Sequence, residues 1–513
     1  MKKLKATIAI VLSLVMCLSF SLVAFASQED GTYVITNPYA NVDWDAVTAY
    51  KTGLHSHTNA SDGDITLFQS IERHVETGFD IVATTDHGTV NYSWADPNPN
   101  ALVHGLLSLV GKSEGELVYL GNSGKFDNGI SYTYSTADNG DDYLTLDSGK
   151  KILRVPYGIE NNAVSVNAHV NSWFVDHVDN SITTYEDAVK GVNTMKGVCV
   201  INHPGEYTKA RYELHSKDAY NENNPAYNYY INKYASLIEN YDSCIGIDMN
   251  SKGDGRTRFD RVLWDVLLTK FAANGENVYA IASSDAHQLR VIDTGYTLTL
   301  LEEQTSAALR HSLENGEFFA ASHCLGNYEE LVDIAAALKE FYGETELYNK
   351  VNDTANEMAE KIEGIENGKY DADSSIGITY STLDDDGYNT CKADPRISSI
   401  VVDEAKDEIT INTNDALIVR WISNGKLICT QKAGEATLDL NEYSDVIGDY
   451  VRAEVFGEGG IVYTQAFLID ADAKKGTSNP VDSTYVNLGV LDFLFAEVNN
   501  WIAIIGRFFE NLF

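Results

Sequence analysis

From residue 51 to about 323, short apolar runs alternate with segments whose apolar residues recur at helical spacing. Ile65, Phe68, Ile71 and Val75 fall three and four apart and Gly78 follows as a stop, so the spacing predicts a helix ending there. Residues 79–84 then read as a buried strand. Residues 258–274 form a second helical pattern, closed by Gly275 and followed by a strand over 278–282. This alternation predicts an α/β fold of parallel strands with crossover helices. Two stretches break the rhythm. Residues 89–149 form an insertion rich in Asn, Asp, Gly and Tyr, with one short helical pattern near 101–110. Residues 327–365 read as two helices, 329–341 and 346–362, before a polar loop at 371–386. Loops this long in a compact enzyme serve either as lids or as surface decoration.

From 397 to 469 the texture changes to strands of five to seven residues, with turn signals at Asn424-Gly425 and 457–460. This pattern predicts a small β-sandwich, and it contains no histidine. At each end the pattern is different again. Basic residues 1–5 precede an apolar stretch over 6–23 and then Ala24-Phe25-Ala26, the form of a cleavable export signal. At the other end Leu491, Leu494, Val498, Trp501, Ile505, Phe508 and Leu512 share one helical stripe, too short in uncharged length to span a bilayer. The expected organisation is a signal peptide over 1–26, an α/β unit over 27–325 and a helical insertion with its loop over 326–393. A β-sandwich over 394–470, a linker over 471–487 and an amphipathic helix over 488–513 complete it. The expected location is extracytoplasmic. The final helix leaves open packing on its own chain, a membrane surface or a partner.

Charge narrows the partners. The 513 residues carry 37 Lys plus Arg against 75 Asp plus Glu, a formal net charge of −38. Residues 1–26 hold three lysines and no acid, so the remainder stands at −38 − 3 = −41. Such a chain repels long polyanions, and no stable nucleic-acid complex is expected. A small anionic substrate survives the argument, because bound cations invert the local sign. Six cysteines, one in the leader, form no CxxC pair, which disfavours thiolate zinc and redox chemistry. Cys199 and Cys244 lie in apolar runs and read as core residues, whereas Cys391 and Cys429 leave a pairing open.

The chemistry lies at the ends of the apolar runs. Gly53-Leu54 leads into His55-Ser56-His57, with Asp62 in Ser-Asp-Gly. Residues 81–83 lead to Asp86-His87, 152–155 to Gly158-Ile159-Glu160, and 164–166 to Ala168-His169. Residues 198–201 end in Asn202-His203-Pro204-Gly205, and 279–282 in Ser284-Asp285-Ala286-His287. In a parallel α/β barrel the C-terminal strand ends share one face, so residues far apart in sequence meet there. Six of the twelve histidines occupy such positions, together with Asp62, Asp86, Glu160 and Asp285. Imidazole mixed with carboxylate favours zinc, manganese or iron over calcium or magnesium.

These motifs resemble those of the PHP phosphoesterases (polymerase and histidinol-phosphatase domain). The matches are Leu-His-Ser-His-Thr…Ser-Asp-Gly, Thr-Asp-His-Gly, Gly-Ile-Glu, Asn-His-Pro-Gly and Ser-Asp-Ala-His, over residues 51–323. Phe318-Phe319-Ala320 is similar to the segment that closes such barrels, while 246–250 depart from the family by placing Asp248 where a glutamate is common. The resemblance implies a distorted seven-stranded β/α barrel with two or three divalent ions. His55, His57, Glu160 and Asp285 would hold one ion, Glu160, His169 and His203 a second, and Asp62, His87 and His287 a third. Asp86 would orient a ligand from behind, and Asp86, Glu160 and His287 would serve catalysis.

The implied activity is a phosphoesterase acting on mono- or diesters of small molecules or nucleotides, through a hydroxide bridging two ions. Arg211, Arg256, Arg258 and Arg290 are candidates for gripping the phosphate, which guanidinium groups bind bidentately. Two alternatives remain at this point: a carbamate or carboxyl-ester hydrolase on the same scaffold, and a non-catalytic surface protein stabilised by its metals.

Overall fold

The computed structural model describes residues 33–109, 111, 115–161, 169–179, 185–250, 256–324, 326–370 and 392–471. The leader, the loop at 371–386 and the final amphipathic stripe lie outside the described residues, as does Cys391. Among the described residues no helix is long and apolar enough to cross a membrane.

The architecture is mixed α/β. Strands Thr48–Gly53, Ile81–Val82 and Lys151–Arg154 are hydrogen-bonded in parallel, as the strand–helix alternation requires. Between the first two runs helix Leu67–Glu76, started by a Thr66–Gln69 capping box. It ends before Gly78, whose φ of +85° permits the left-handed turn. A second sheet has the order Tyr279–Ile281, Cys244–Asp248, Val198–Ile201, Val170–Trp173, Ile159–Asn161. Its first three strands are parallel and its last two antiparallel. All four residues of Val198–Ile201 are buried, so its unbroken Val-Cys-Val-Ile run has apolar packing on both faces. Isolated parallel bridges, Ser56 to Ala286 and His87 to Glu160, tie the two sheets together at one edge. Leu54, Ile81, Leu153, Trp173, Val198, Val200 and Ile281 form a shared core between them.

The insertion and the C-terminal strands both extend the first sheet. Within 89–149, helix Ala101–Leu109 is joined by three antiparallel strands, Ser123–Lys125, Ser131–Thr136 and Asp142–Leu146, the last pairing with Lys151–Arg154. At the other edge, Gly460–Tyr463 pairs antiparallel with Phe318–Ser322. The strands Tyr450–Gly457 and Phe467–Ala471 follow, and Phe467–Ala471 in turn pairs with Tyr33–Thr36 near the chain's start. A three-stranded sheet, Arg396–Asp403, Glu408–Asn414 and Glu435–Asp439, lies apart from this continuous path. Two helices, Tyr328–Tyr342 and Glu346–Glu366, pack on each other and against Ile418 and Phe456.

A buried ionic cluster fastens the two halves. Arg452 donates to both oxygens of Asp265, from Nε at 2.8 Å and Nη2 at 2.7 Å, and from Nη1 to Glu454 at 2.7 Å. Glu454 also accepts from Arg420. Asp265 lies on helix Asp260–Ala272 and Arg452 on a C-terminal strand.

A candidate metal centre

The edge where the two sheets meet collects the polar residues. His55 and His57 follow strand Thr48–Gly53, Asp86 and His87 follow Ile81–Val82, and His203 follows Val198–Ile201. Asp285 and His287 follow Tyr279–Ile281, and Glu160 lies within Ile159–Asn161. His169 reaches the same edge by a different route. Strand Val170–Trp173 runs antiparallel to Val198–Ile201, so its N-terminal end, rather than a C-terminal one, faces the cluster. His203 and Asp285 have φ of 28° and 45°, the left-handed region that non-glycine residues enter at a cost. Here that turn aims both side chains back into the cluster.

Four buried atoms lie close together, and five of their six separations fall between 3.0 and 3.4 Å. His55 Nε2 and His57 Nε2 are 3.1 Å apart. Glu160 Oε2 is 3.4 Å from the first and 3.1 Å from the second, and Asp285 Oδ1 is 3.3 and 3.0 Å from them. A regular tetrahedron with edges of about 3.0–3.4 Å has its centre about 1.8–2.1 Å from each corner, close to zinc–nitrogen and zinc–oxygen bond lengths. Glu160 Oε2, buried, accepts no hydrogen bond.

Two further groups share members with the first: His57, Asp62, His87 and His287, and then His87, Glu160 and His169. Three ring nitrogens surround Asp62 Oδ1, from His287 at 3.3 Å, His57 at 3.5 Å and His87 at 3.7 Å. His287 Nδ1 lies 2.9 Å from the Asp285 carbonyl oxygen, which can only accept, so in the neutral ring Nε2 turns its lone pair toward Asp62. Two acceptors facing one another in this way call for a cation between them. Glu160 Oε1 is approached by His203 Nε2 at 3.1 Å and His169 Nδ1 at 3.2 Å, and it accepts from Asn202 at 2.7 Å. The buried donor set thus fits divalent ions.

Electrostatics carry the same signature. Burial opposes charge on His55, but Asp285 and Glu160 outweigh it and push the ring up to about 9. Burial pulls His87 down to about 3 despite nearby Glu160. Burial also opposes the charged forms of Glu160 and Asp62, yet the surrounding imidazoles hold both carboxyls well below their usual range.

Asp86 stands behind the cluster. Its oxygens accept from the Thr58 amide at 2.7 Å, the Thr58 hydroxyl at 2.8 Å and Ser61 at 2.7 Å. It therefore shapes the 58–61 turn, and its hydrogen-bonded link to His57 runs through Ser61, whose oxygen is 3.3 Å from His57 Nδ1. Asp248, fully buried, accepts from Ser283 and lies 3.6 Å from His55 Nδ1.

A cleft of about 700 Å³ opens over the cluster. Of the four candidate arginines, Arg256 and Arg290 border it. Arg258 does not: its guanidinium is buried and donates to the carbonyl oxygens of Arg211 and Glu213. Arg211 lies over the Tyr212 ring, also away from the cleft. Sequence reasoning missed Asp64, Glu206, Tyr207 and Gln288, all of which line the cleft. The available signal was adjacency: Asp64 directly follows Ser-Asp-Gly, Glu206-Tyr207 the His-Pro-Gly turn and Gln288 the Ser-Asp-Ala-His motif.

No family model matches the chain, and no curated protein matches it. One solved structure that resembles it is a two-domain protein from Bacteroides vulgatus ATCC 8482, described as containing a predicted PHP-like metal-dependent phosphoesterase. Identity is 12% and the TM-score 0.30, over 83% of this chain and 96% of that one. The residues of the cleft themselves therefore carry the functional reading.

Proposed function

We propose that this chain is a metal-dependent hydrolase of PHP type that cleaves phosphate esters of small molecules. The observation that carries the reading is the tight buried set formed by His55, His57, Glu160 and Asp285, with two further ligand groups alongside. A first ion would be held by those four, a second by Glu160, His169 and His203, and a third by Asp62, His87 and His287. The mixture of imidazole and carboxylate suits zinc, manganese or iron. Such ions supply Lewis acidity toward phosphoryl oxygens and acidify water.

The chain's own residues do the rest. Asp62, Asp64, Glu160, Glu206 and Asp285 line the cleft against two arginines, so an anionic ester enters favourably only when cations are present. Arg290, exposed at the mouth, and Arg256 would grip the phosphoryl group bidentately. Burial, reinforced by Glu206 and Glu160, pushes the Tyr207 phenol up and keeps it protonated, with its hydroxyl 3.0 Å from His169 Nδ1. The export-type leader supports an extracytoplasmic protein, and the amphipathic stripe at 488–513 a contact with a membrane surface or partner.

The test loads the purified chain with manganese or zinc and assays p-nitrophenyl phosphate, bis-p-nitrophenyl phosphate, and p-nitrophenyl acetate and carbamate. Phosphate cleavage is expected, and Asp285→Asn is expected to lose bound ion and activity together. A fully metallated, fully active Asp285→Asn sinks the assignment. Cleavage of the acetate or carbamate alone would move the chemistry to carbonyl esters.

A further inference from the structure

Immediately after His203 the chain makes a single helical turn, Pro204–Thr208, whose Glu206 has two partners at the cleft. Its Oε2 lies 3.3 Å from His203 Nδ1, on the side of the ring away from Glu160. Its Oε1 accepts from Arg256 Nη1 at 3.0 Å. One carboxylate thus touches the back of an imidazole in the cluster and the front of a guanidinium at the cleft. The turn itself is fixed in place. A Cβ added to Gly205 would stand 2.4 Å from Asp260 Oδ1 and 2.6 Å from the Arg256 carbonyl oxygen, so only glycine lets the turn sit this close. Asp260 is fully buried and receives the Tyr220 hydroxyl at 3.2 Å.

We propose that Glu206 is a positioning residue that ties ion binding at the Glu160–His169–His203 position to phosphate binding by Arg256. The inference rests on the phosphoesterase reading of this cleft. The Oε2 charge 3.3 Å from Nδ1 favours the proton on that nitrogen, which leaves the Nε2 lone pair facing Glu160 and makes the ring a better ligand. With Oε1 on Arg256, the guanidinium keeps its planar fork turned to the cleft instead of swinging into water. A neutral amide at position 206 loses the charge that attracts both partners and turns an NH2 donor toward one of them, so it weakens both contacts.

The experiment uses the full chain with Glu206→Gln, Arg256→Met and the double variant. Ion content after dialysis and chelator competition with zinc report the metal position. Inhibition by inorganic phosphate reports the anion position. Glu206→Gln is expected to weaken one ion, and only one, by about 10–100-fold, and to weaken phosphate as well. Arg256→Met is expected to weaken phosphate about as much while leaving ion affinity within about twofold, and the double variant to add little to Glu206→Gln. Thermal melting separates positioning from general destabilisation, because a merely structural residue lowers the melting temperature without singling out one ion. If Glu206→Gln binds every ion as the native chain does, the coupling is refuted. If Glu206→Gln does not fold, Arg256→Met decides: unchanged phosphate inhibition overturns the proposal. If the native chain binds no ions at all, the failure belongs to the phosphoesterase reading instead.

Discussion

Removing the Asp265 carboxylate tests how the two halves of this protein are held together. The perturbation is Asp265→Ala. Asp265 accepts three hydrogen bonds, two from Arg452 and one from the Tyr450 hydroxyl at 2.8 Å, and both residues of the ion pair are buried. Deleting one member of a buried pair costs about 3–5 kcal/mol, because the other charge stays behind without compensation. Arg452 keeps Glu454, which argues for the lower end, while Tyr450 loses an acceptor worth about 1 kcal/mol. The expected loss is therefore about 4 kcal/mol. By contrast, the exposed Arg73–Glu76 pair at 3.2 Å is worth at most about 0.5 kcal/mol. The assay is urea unfolding followed by tryptophan fluorescence, which is well placed because the Arg452 guanidinium lies 4.8 Å from the Trp264 ring. The double variant Asp265→Ala/Arg452→Met should recover much of the loss, since it removes the orphaned charge together with its partner. A single-variant cost below about 1 kcal/mol, with no recovery in the double, would refute the picture of a desolvated clamp.

Three further outcomes are expected. Chelation should lower the melting temperature, because each ion at a free concentration of 100 times its Kd adds about 2.7 kcal/mol; an unchanged melt would leave the cluster without metal. His74 is buried, with Nδ1 donating to the Ser70 carbonyl oxygen, and burial lowers its ring to about 4 despite the nearby Asp293. The unfolded chain takes up that proton near pH 6.5, so this stability is complete above about 6.5 and fades toward pH 4, by about 3 kcal/mol in all. His74→Gln should flatten that part of the urea-midpoint profile against pH, and an identical slope would contradict it. Gly246→Ala should abolish soluble expression: a Cβ there would lie 1.8 Å from the Tyr279 carbonyl oxygen at φ +152°, and a stable variant would mean the strands are spaced more widely.

The legible part of this chain is the part that is buried on both faces. Val198–Ile201 and Tyr279–Ile281 announce themselves as apolar runs ending in His or Asp, and the histidines and acids after them do gather at one edge. The strands within the insertion escaped notice because Tyr132 and Tyr134 alternate inward amid Ser and Thr, leaving a weak period-two signal. Pairing of Gly460–Tyr463 with Phe318–Ser322 depends on backbone register across a long sequence separation, which no local pattern records. His169 illustrates the same limit: the sequence places it after an apolar run, but only strand direction brings it to the cluster. Arg258 illustrates the reverse, a cation near the motifs whose partners are main-chain carbonyl oxygens.

The pairing of Tyr33–Thr36 with Phe467–Ala471 has a consequence for how the chain comes into being. A ribosome adding 5–20 residues per second leaves the early strand waiting about 20–90 s for its partner, some 430 residues downstream. During that interval Tyr33 and Ile35, which end up buried, have no sheet to cover them. The large mixed core that includes Ile35, Tyr39, Val451 and Phe467 closes only after the last of these emerges. Synthesis from one end to the other therefore leaves the early strand without this partner until the C-terminal strands appear. The described fold is tied together where residues 33–36 meet 467–471, and a truncation before residue 467 leaves the early strand stranded as surely as it removes the late one.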